Sequence, residues 1–446
     1  MDTIVSLCKR RGFVFQSSEI YGGFGSTYDY GPLGVELLRN VRNLWWRSVV
    51  QERDDVVGLE ASILGPEAVY VASGHVTNFS DPLVDCKQCK MRWRLDHLDE
   101  GQYETQYGPT KRNKEGQIVC PNCAGELTEP RKFNLMFKTG IGVIEDESSI
   151  AYLRPETAQG MFINFSTIQT ATRRKLPFGI AQIGKSFRNE ITPGNFVFRT
   201  REFEQAEMEF FVKPGTDDHW HEYWVKERHE WYLRYGLTPE RLRIRPHGKE
   251  ELSFYSKATS DVEYLFPWGW GELEGIANRT NYDLTQHAKH SGKDLSYFDE
   301  ETKEHIVPFV IEPAAGITRT ALTFLIDAYD EEPDKDGTRV VLRFHKSVAP
   351  IKVAILPLSK KEPLINLAHQ LEKKLRKHWT IQYDETQAIG RRYRRQDEIG
   401  TPFCVTVDFE SLEDNAVTIR ERDSMAQVRI AIPELLDALK ERLNDD

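Results

Sequence analysis

The chain has 446 residues, a length that suits two or three domains. Hydrophobic residues make up 39% of it and the net charge is −10 at pH 7, which excludes a disordered chain and a coat protein that binds nucleic acid through overall positive charge. No segment approaches the roughly 18 consecutive apolar residues of a membrane span, and the N-terminus lacks a signal-peptide apolar region, so we expect a cytoplasmic protein with no membrane segment.

The first long element is predicted just after a glycine-rich turn at 21–25. Apolar residues recur there at helical spacing and predict a helix over about 33–50, with a stripe of Leu37, Leu38, Val41, Leu44, Trp45 and Val49. Such a stripe indicates a core face or, alternatively, a subunit interface. Residues 56–72 alternate apolar stretches with Gly65-Pro66, which predicts strands around a turn.

The middle of the chain is predicted to continue the same large domain. Residues 133–212 show the order strand, helix, strand, loop, strand, and residues 261–284 predict strands joined by a glycine-rich turn. Between them, about 213–258 is rich in Trp, His and Tyr and is predicted as a helical insertion. Residues 287–305 are polar and predict a loop, whereas 309–330 predict a strand that runs into a helix.

The last part of the chain has a different pattern. A charged turn cluster at 331–337 precedes it. Strand candidates at 351–356 and 402–407 flank a predicted helix at about 361–377. Strands that alternate with helices predict a small α/β domain over about 349–446.

Four of the six cysteines form two Cys-x-x-Cys pairs in a polar segment of about 84–130, which we predict to be an insertion: Cys86, Cys89, Cys120 and Cys123. Two such pairs suit tetrahedral zinc held by thiolates. Free thiols in a reducing compartment are the alternative. His97 is a substitute ligand or, more simply, a surface histidine.

The strongest chemical signal is Phe187-Arg-Asn-Glu190, followed by a loop that contains Thr192-Pro-Gly-Asn195 and then by Arg199-Thr-Arg-Glu-Phe203. Residues two apart on a strand share a face, so Arg188 and Glu190 are expected to point the same way. An arginine can bind a phosphate or a carboxylate with two parallel hydrogen bonds, and an exposed phenylalanine can stack on a base. A salt-bridged hairpin is the alternative for Arg-x-Glu alone, but the full pattern is far more specific.

Three further blocks accompany this one: Leu153-Arg-Pro-Glu-Thr-Ala-Gln-Gly160, Trp270-Gly-Glu-Leu-Glu-Gly-Ile-Ala-Asn-Arg279, and Glu312-Pro-Ala-Ala-Gly-Ile-Thr-Arg319. In this order the blocks resemble those of the glycyl-specific, single-chain dimeric family of class II aminoacyl-tRNA synthetases. The arginine block is similar to motif 2 and the last block to motif 3.

The resemblance implies an α+β fold. Residues 1–348 would form an antiparallel sheet flanked by helices, with a zinc-ribbon insertion, and 349–446 an α/β anticodon-binding domain. It implies an ATP-dependent ligase that makes glycyl-adenylate and transfers glycine to the 3′ end of tRNA(Gly), working as a homodimer with Mg²⁺ and a structural Zn²⁺.

For ATP the resemblance implies a set of cationic residues. Arg188 would hold the α-phosphate together with the glycine carboxylate, and Arg279 would also meet the α-phosphate. Arg199 would reach the γ-phosphate, and Arg319 would cover the adenine and touch the outer phosphates. Glu272 would contact Mg²⁺, since that ion prefers oxygen ligands.

For the base and the amino acid it implies mostly acidic residues. Glu190 would face the adenine and Phe203 would stack beneath it. The glycine ammonium would meet Glu156, Glu207 and Glu312. The family often has Glu-Pro-Ser where this chain has Glu312-Pro-Ala314, so a serine hydroxyl is absent from the expected pocket.

Arginines are also grouped in the C-terminal domain, at 391–395 around Tyr393 and at Arg420 and Arg422. They are candidates for anticodon contacts, and a solvated charged helix is the alternative for the first group. An inactive synthetase-like accessory protein is the alternative function, and a synthetase for threonine, proline or serine is a third. The first is disfavoured because the motif arginines and the three pocket glutamates are all present, and the second because of the Arg154-Pro-Glu-Thr-Ala-Gln-Gly160 block and the same three acidic positions.

Overall fold

A computed structural model describes residues 1–101, 103–143, 149–191, 193–253, 255–334 and 337–444. Several predicted segments include residues outside these ranges: 102, 144–148, Thr192 of the predicted loop, 254, 335–336 of the charged turn cluster, and 445–446. On either side of residues 335–336, the chain forms a hairpin of strands Tyr329–Asp334 and Gly337–Leu342.

A seven-stranded sheet organises the larger part of the molecule. In chain order its strands are β1 (Val56–Gly58), β2 (Phe178–Phe187), β3 (Glu202–Val212), β4 (Leu242–Pro246), β5 (Ala258–Phe266), β6 (Gly269–Thr280) and β7 (Phe309–Gly316). In space they lie in the order β4-β5-β6-β7-β3-β2-β1. Every neighbouring pair is antiparallel except β1 and β2, so the predicted antiparallel sheet is confirmed.

Helices cover both faces of this sheet, because side chains alternate between the faces along each strand. Phe210 of β3 belongs to a core with helices Pro32–Trp46, Asp217–Arg234 and Ile317–Ala328. Its neighbour Phe211 belongs to a second core, with helices Ala158–Ile163, Phe165–Thr172 and Tyr282–Ser291. The stripe predicted for residues 33–50 lies in the first core, so its core interpretation holds within the chain.

Three sequence predictions differ from the structure. Residues Glu67–Ala72 form a short helix, not a strand, and the predicted loop at 287–305 contains the end of helix Tyr282–Ser291 and a small hairpin. The expected helical insertion at 213–258 is part of the main domain, since its helix packs against β6 and β7 and its strand β4 joins the sheet. Large aromatic side chains on that helix require a core: Trp224, Trp231 and Tyr232 are buried.

The cysteine-bearing segment forms a small unit of its own. Strands Ser80–Asp85, Arg92–Arg94 and Arg131–Asn134 make a three-stranded sheet, so the unit is wider than the predicted 84–130. Two short helices follow its second strand, Leu95–Asp99 and Glu104–Tyr107. A neighbouring three-stranded sheet joins Leu64–Pro66, Phe137–Gly140 and Ile150–Leu153. A short N-terminal hairpin and helix Asp2–Arg11 complete the domain.

The C-terminal part is a five-stranded mixed sheet, as expected for an α/β domain. Its strands are Val353–Pro357, Ile381–Tyr383, Phe403–Val407, Ala416–Glu421 and Gln427–Ala431, and its longer helices are Glu362–Leu375, Ile389–Ile399 and Leu435–Leu443. Across the described ranges, no helix is long and apolar enough to cross a membrane.

Two arginines proposed from sequence for anticodon contacts are instead internal. Arg420 donates to both carboxylate oxygens of Asp397 at 2.8 and 3.0 Å, and Arg422 donates to Asp423. Both side chains are buried, so they stabilise the domain and do not face a partner. Within the 391–395 group, Arg391 is exposed, Arg392 is buried and the other three are partly buried.

Candidate active site

A cavity of about 350 Å³ opens at the C-terminal end of β2 and the N-terminal end of β3. Ten residues predicted from sequence to bind glycine or ATP all line this cavity: Glu156, Arg188, Glu190, Arg199, Phe203, Glu207, Glu272, Arg279, Glu312 and Arg319. These residues are spread over more than 160 positions of the chain. Their convergence makes this cavity the candidate active site.

Strand pairing explains why they meet. Glu207 of β3 pairs with Gln182 of β2 on one side and with Ala314 of β7 on the other. Glu312 of β7 pairs with Ala277 of β6. Arg188 and Glu190 were expected on a strand, but they follow directly after β2 ends at Phe187. Both still line the cavity.

Arg188 is held so that much of its guanidinium is available. Its Nε donates to the carbonyl of Pro155 at 3.0 Å. Its guanidinium carbon lies 5.3 Å from the ring centres of both Phe79 and Phe203. Within the described ranges, its two Nη groups have no hydrogen-bond partner. They therefore offer up to four donors to an anion in the cavity.

Arg319 is held mainly by backbone. Its Nη1 donates to the Glu272 carbonyl at 2.9 Å, and its Nε donates to the Phe198 carbonyl at 3.4 Å. The guanidinium carbon also lies 4.2 Å from the centre of the Phe198 ring. Burial, with Arg199 and Arg188 close by, lowers the pKa of Arg319 in spite of Glu272. An anion bound here would relieve that repulsion.

The opposite end of the cavity is acidic. Glu207 accepts a hydrogen bond from the backbone N–H of Thr157 at 2.8 Å and from the Gln205 amide at 2.8 Å. Glu156 accepts from the Gln159 amide at 3.0 Å and lies 3.4 Å from Nε2 of His75. The hydroxyl of Thr157 also donates to Glu207. Hydrogen bonds between these side chains hold their polar groups in place, so the acidic end is rigid.

Arg279 belongs to this acidic end. Its Nη1 lies 2.9 Å from each carboxylate oxygen of Glu312, and it also donates to both oxygens of Asp283 at 2.8 and 2.9 Å. The centre of the Tyr255 ring lies 4.0 Å from its guanidinium carbon. Two carboxylates thus occupy most of its donors, which is the geometry of a residue that positions Glu312.

The pKa values of the three glutamates shift in different directions, although all three are buried. Burial raises the pKa of Glu312 to about 8, although Arg279 opposes this. Burial and the charge of Glu156 raise the pKa of Glu207. Glu156 is equally buried, but His75 and Arg279 outweigh burial and hold its pKa below the usual range. A cation bound between these carboxylates would favour their ionised forms and so lower the pKa of Glu207 and Glu312.

Glu209 is a fourth glutamate that the sequence reasoning missed. It lies two residues beyond Glu207 on β3, and the pairs on either side place it opposite Glu312 on β7. It is fully buried, and neither of its carboxylate oxygens has a hydrogen-bond partner among the described residues. Burial, and then the charge of Glu312, raise its pKa well above the usual range, so it carries a proton at neutral pH.

We expect Glu209→Gln to stabilise the protein increasingly as pH rises. The unfolded chain releases this proton above a pKa of about 4.3, whereas the folded chain retains it, so wild-type stability falls as pH rises toward the folded pKa. Each pH unit contributes at most about 1.4 kcal/mol. Melting temperatures of variant and wild type at pH 5, 6.5 and 8 measure this, and a difference that does not change with pH would contradict it.

Other cavity residues carry no recognisable motif. Asp81 and Arg94 come from the cysteine-bearing unit and pair at 2.9 Å. Burial raises the pKa of Asp81 to about 6 although Arg94 opposes it. Phe79, Phe198 and Tyr255 add aromatic walls. A single charged or aromatic residue in an irregular segment gives no periodic signal, which is why the sequence did not single them out.

The four predicted zinc ligands are brought together. Their Sγ atoms all lie within 4.8 Å of one another, with Cys86 to Cys123 at 3.5 Å and Cys89 to Cys120 at 3.6 Å. A tetrahedral zinc with bonds of about 2.3 Å separates its sulfurs by about 3.8 Å. The donor set and its spacing therefore fit zinc. His97 is not at this cluster and is not on the surface, since it is buried.

Comparison with known proteins agrees with the fold and the cavity. Residues 137–329 match the family model of the tRNA synthetase class II core domain (G, H, P, S and T), and residues 352–442 match that of the anticodon binding domain. The sheet, the cavity and these two matches define a class II tRNA synthetase.

Relatives at high identity show which family within this class the chain belongs to. The chain is similar to glycine–tRNA ligases from Thermobifida fusca (58% identity, 99% of this chain and 98% of the relative), Cutibacterium acnes (56%, 99% and 96%) and Treponema denticola (56%, 100% and 97%). The chain belongs to the glycine–tRNA ligase family.

Proposed function

We propose that this protein activates glycine with ATP to glycyl-adenylate and transfers the glycyl group to the 3′ end of tRNA(Gly). The observation that carries the proposal is the division of one cavity into an acidic end and a cationic end. An amino acid presents an ammonium to the first, and its carboxylate meets a phosphate at the second. The inactive accessory protein finds no support, because every expected charged residue of the cavity is present.

The arginines take the phosphates in this proposal. Arg188 lies between the two ends, so its free Nη groups suit the glycine carboxylate and the α-phosphate together, where negative charge grows during the reaction. Arg199 and Arg319 bind the outer phosphates. Phe203 stacks against the adenine, with Glu190 beside the base.

In this proposal Arg279 has a different main role from the α-phosphate contact that the resemblance implied. Its hydrogen bonds to Asp283 and Glu312 support a positioning residue that keeps the acidic end in shape. A contact with the α-phosphate then uses its one remaining Nη2 hydrogen. Mg²⁺ would bring charge neutralisation to the phosphates, and Glu272 is the proposed protein ligand because its side chain is half-exposed beside Arg319.

Glycine binds through Glu156, Glu207 and Glu312. Ala314 lines the same pocket where the family often has serine, and its methyl group adds wall without a hydrogen-bonding group. Rejection of larger amino acids rests on this lack of space, since one methylene is worth only about 1–3 kcal/mol in a soft pocket. The rigid hydrogen bonds of Glu207 keep the pocket from opening.

We expect glycine binding to release about one proton at pH 7, because the ammonium of glycine lowers the pKa of Glu312 from about 8 to below 7. Calorimetric titration with glycine, in the presence of a non-hydrolysable ATP analogue, measures the release as a dependence of the heat on buffer ionisation enthalpy. At pH 9 Glu312 is already ionised, so the dependence should nearly disappear. Equal heats in all buffers at pH 7 would contradict this charge assignment.

Two structural features are also proposed. The four cysteines would hold a structural Zn²⁺ that stabilises the small core around them. A homodimer is supported by a segment that exposes Ile20, Tyr21 and Phe24, which are 89%, 87% and 63% exposed in the single chain. Residues 349–446 would bind the anticodon, with Arg391 as the exposed member of its arginine group.

The direct test of the proposed function is aminoacylation. Labelled glycine, ATP, Mg²⁺ and total tRNA are incubated with the protein, and acid-precipitable label is counted. We expect label with glycine and none with alanine. No label from a folded, zinc-loaded protein that has bound tRNA would overturn the transfer step.

A further inference from the structure

The cysteine-bearing unit reaches into the nucleotide end of the active site. Its Asp81 and Arg94 line the cavity beside Glu190 and Arg199. Arg199 is the residue proposed above for the outer phosphates. The unit therefore forms a wall of the catalytic cavity, although its cysteines do not line that cavity.

Arg199 depends on this unit for its side-chain position. Its Nη1 lies 3.4 Å from Nε2 of His97, and this is its one side-chain hydrogen bond within the described ranges. Arg188 and Arg319 differ, because backbone carbonyls of the main domain hold them. A long arginine side chain without an anchor loses much of its rotamer freedom when it binds a phosphate.

His97 is itself fixed on several sides. It is 6% exposed and lies on the short helix Leu95–Asp99. Its Nδ1 lies 3.4 Å from the hydroxyl of Tyr103, and its backbone N–H donates to the carboxylate of Asp96, which Arg94 also holds. A guanidinium only donates, so Nε2 of His97 must be an acceptor and the ring must be neutral. Burial, together with Arg94 and Arg199, lowers the pKa of His97 to about 3, in agreement with a neutral ring.

A small apolar core connects the residues that hold His97 to the cysteines. Trp93 is 2% exposed and lies in the same apolar cluster as Cys86 and Cys120. Its ring lies edge-on to that of Tyr103, with 5.1 Å between the centres. A core this small is not stable alone, so the metal proposed for the cysteines would keep His97 in place.

We propose that His97 is a positioning residue for Arg199, through which the cysteine-bearing unit sets the affinity of the nucleotide site. The inference rests on the proposed function, since it concerns the site for the outer phosphates of ATP. It adds a role for the unit in amino-acid activation, before any tRNA is bound.

The test is a double-mutant cycle in glycine-dependent ATP–pyrophosphate exchange. We expect His97→Ala to raise the KM for ATP roughly tenfold, the size of one hydrogen bond to a charged group, with little change in the KM for glycine. In an Arg199→Ala background the same change should add nothing, because the two residues act together. His97→Gln offers an oxygen near the position of Nε2 and should restore most of the affinity. His290, which is exposed, provides the control substitution His290→Ala.

The contrary results are distinct. An unchanged KM for ATP in His97→Ala, or equal and additive effects in the two backgrounds, would overturn the proposal. A rise in the KM for both substrates that Gln does not rescue would also overturn it, since that is the effect of general misfolding. Zinc content and melting temperature are measured for each variant to verify folding. Absence of exchange in the wild-type protein would instead count against the proposed function itself.

The link to the cysteines has its own measurement. Zinc is removed with a chelator, its loss is verified by metal analysis, and the KM for ATP is compared in wild type and His97→Ala. We expect the wild-type KM to rise toward that of the variant and the variant to change little. A wild-type KM that stays constant after complete zinc loss would overturn this link.

Discussion

Arg188→Ala is expected to lower kcat/KM for glycine-dependent ATP–pyrophosphate exchange by about 10²–10³-fold, the usual loss for one donor that stabilises transition-state charge. Its Nη groups are free within the described ranges, while its Nε and ring contacts with Phe79 and Phe203 fix its direction. The guanidinium is therefore held in place before substrates bind. Most of the loss should appear in kcat, because the charge on the α-phosphate grows only during the reaction.

Two variants make this result specific. Arg188→Lys keeps the charge but removes the planar pair of donors, and should recover only a small part of the activity. Arg391→Ala removes an exposed arginine in the C-terminal domain and should leave exchange unchanged, because that reaction needs no tRNA. Activity within threefold of wild type in Arg188→Ala would contradict the assigned role.

Glu207→Gln is expected to raise the KM for glycine by about 10²-fold or more, in line with the roughly 3–5 kcal/mol lost when one partner of a buried ion pair is removed. The substitution takes away a carboxylate for the ammonium. The side-chain amide that replaces the carboxylate also faces the backbone N–H of Thr157 and the side-chain amide of Gln205. Both of these groups donate hydrogen bonds to Glu207 in the wild-type protein. The KM for ATP at saturating glycine should change little.

The matched control lies two residues away. Glu209→Gln makes the same chemical change on the same strand and the same face of the sheet, at an equally buried position. Because Glu209 is already neutral, its replacement should leave the KM for glycine within about twofold of wild type. Equal effects of the two substitutions would mean that the KM for glycine depends on the overall acidic character of this region. The assignment of Glu207 to the ammonium would then be wrong.

The sequence was most informative where chemistry dictates residue type at fixed spacing. Arg188, Glu190, Arg199 and Phe203 fall within 16 positions of one another, and a phosphate site needs such groups. The antiparallel sheet was an expectation from the family resemblance, because its central strands are buried on both faces and show no alternating pattern of their own. The pairing between strands then brought Glu312 beside Glu207 without any local signal for that contact.

Prediction from the sequence failed where a charged side chain is buried in a core. Helix Asp217–Arg234 was predicted as part of a helical insertion rich in Trp, His and Tyr. In the structure Arg228 is buried and donates to Glu274 at 2.7 Å, and Tyr232 donates to the same carboxylate at 2.8 Å. The sequence alone cannot distinguish a buried ion pair of this kind from two surface charges, because its burial depends on how the helix packs against the sheet.

The same limit applies to His97 and Glu209. Each is a single polar residue whose burial results from contacts between distant segments. His97 meets an arginine 102 positions away, and Glu209 faces a strand more than 100 positions away. Their environments therefore follow from tertiary structure alone.

The most direct test of the central claim is ATP–pyrophosphate exchange with glycine, alanine, serine, threonine and proline compared in parallel, on folded protein loaded with zinc and Mg²⁺. The divided cavity predicts exchange with glycine alone. Exchange with another of these amino acids at a similar rate would contradict the assignment of the pocket. No exchange with any of them would contradict the enzyme itself.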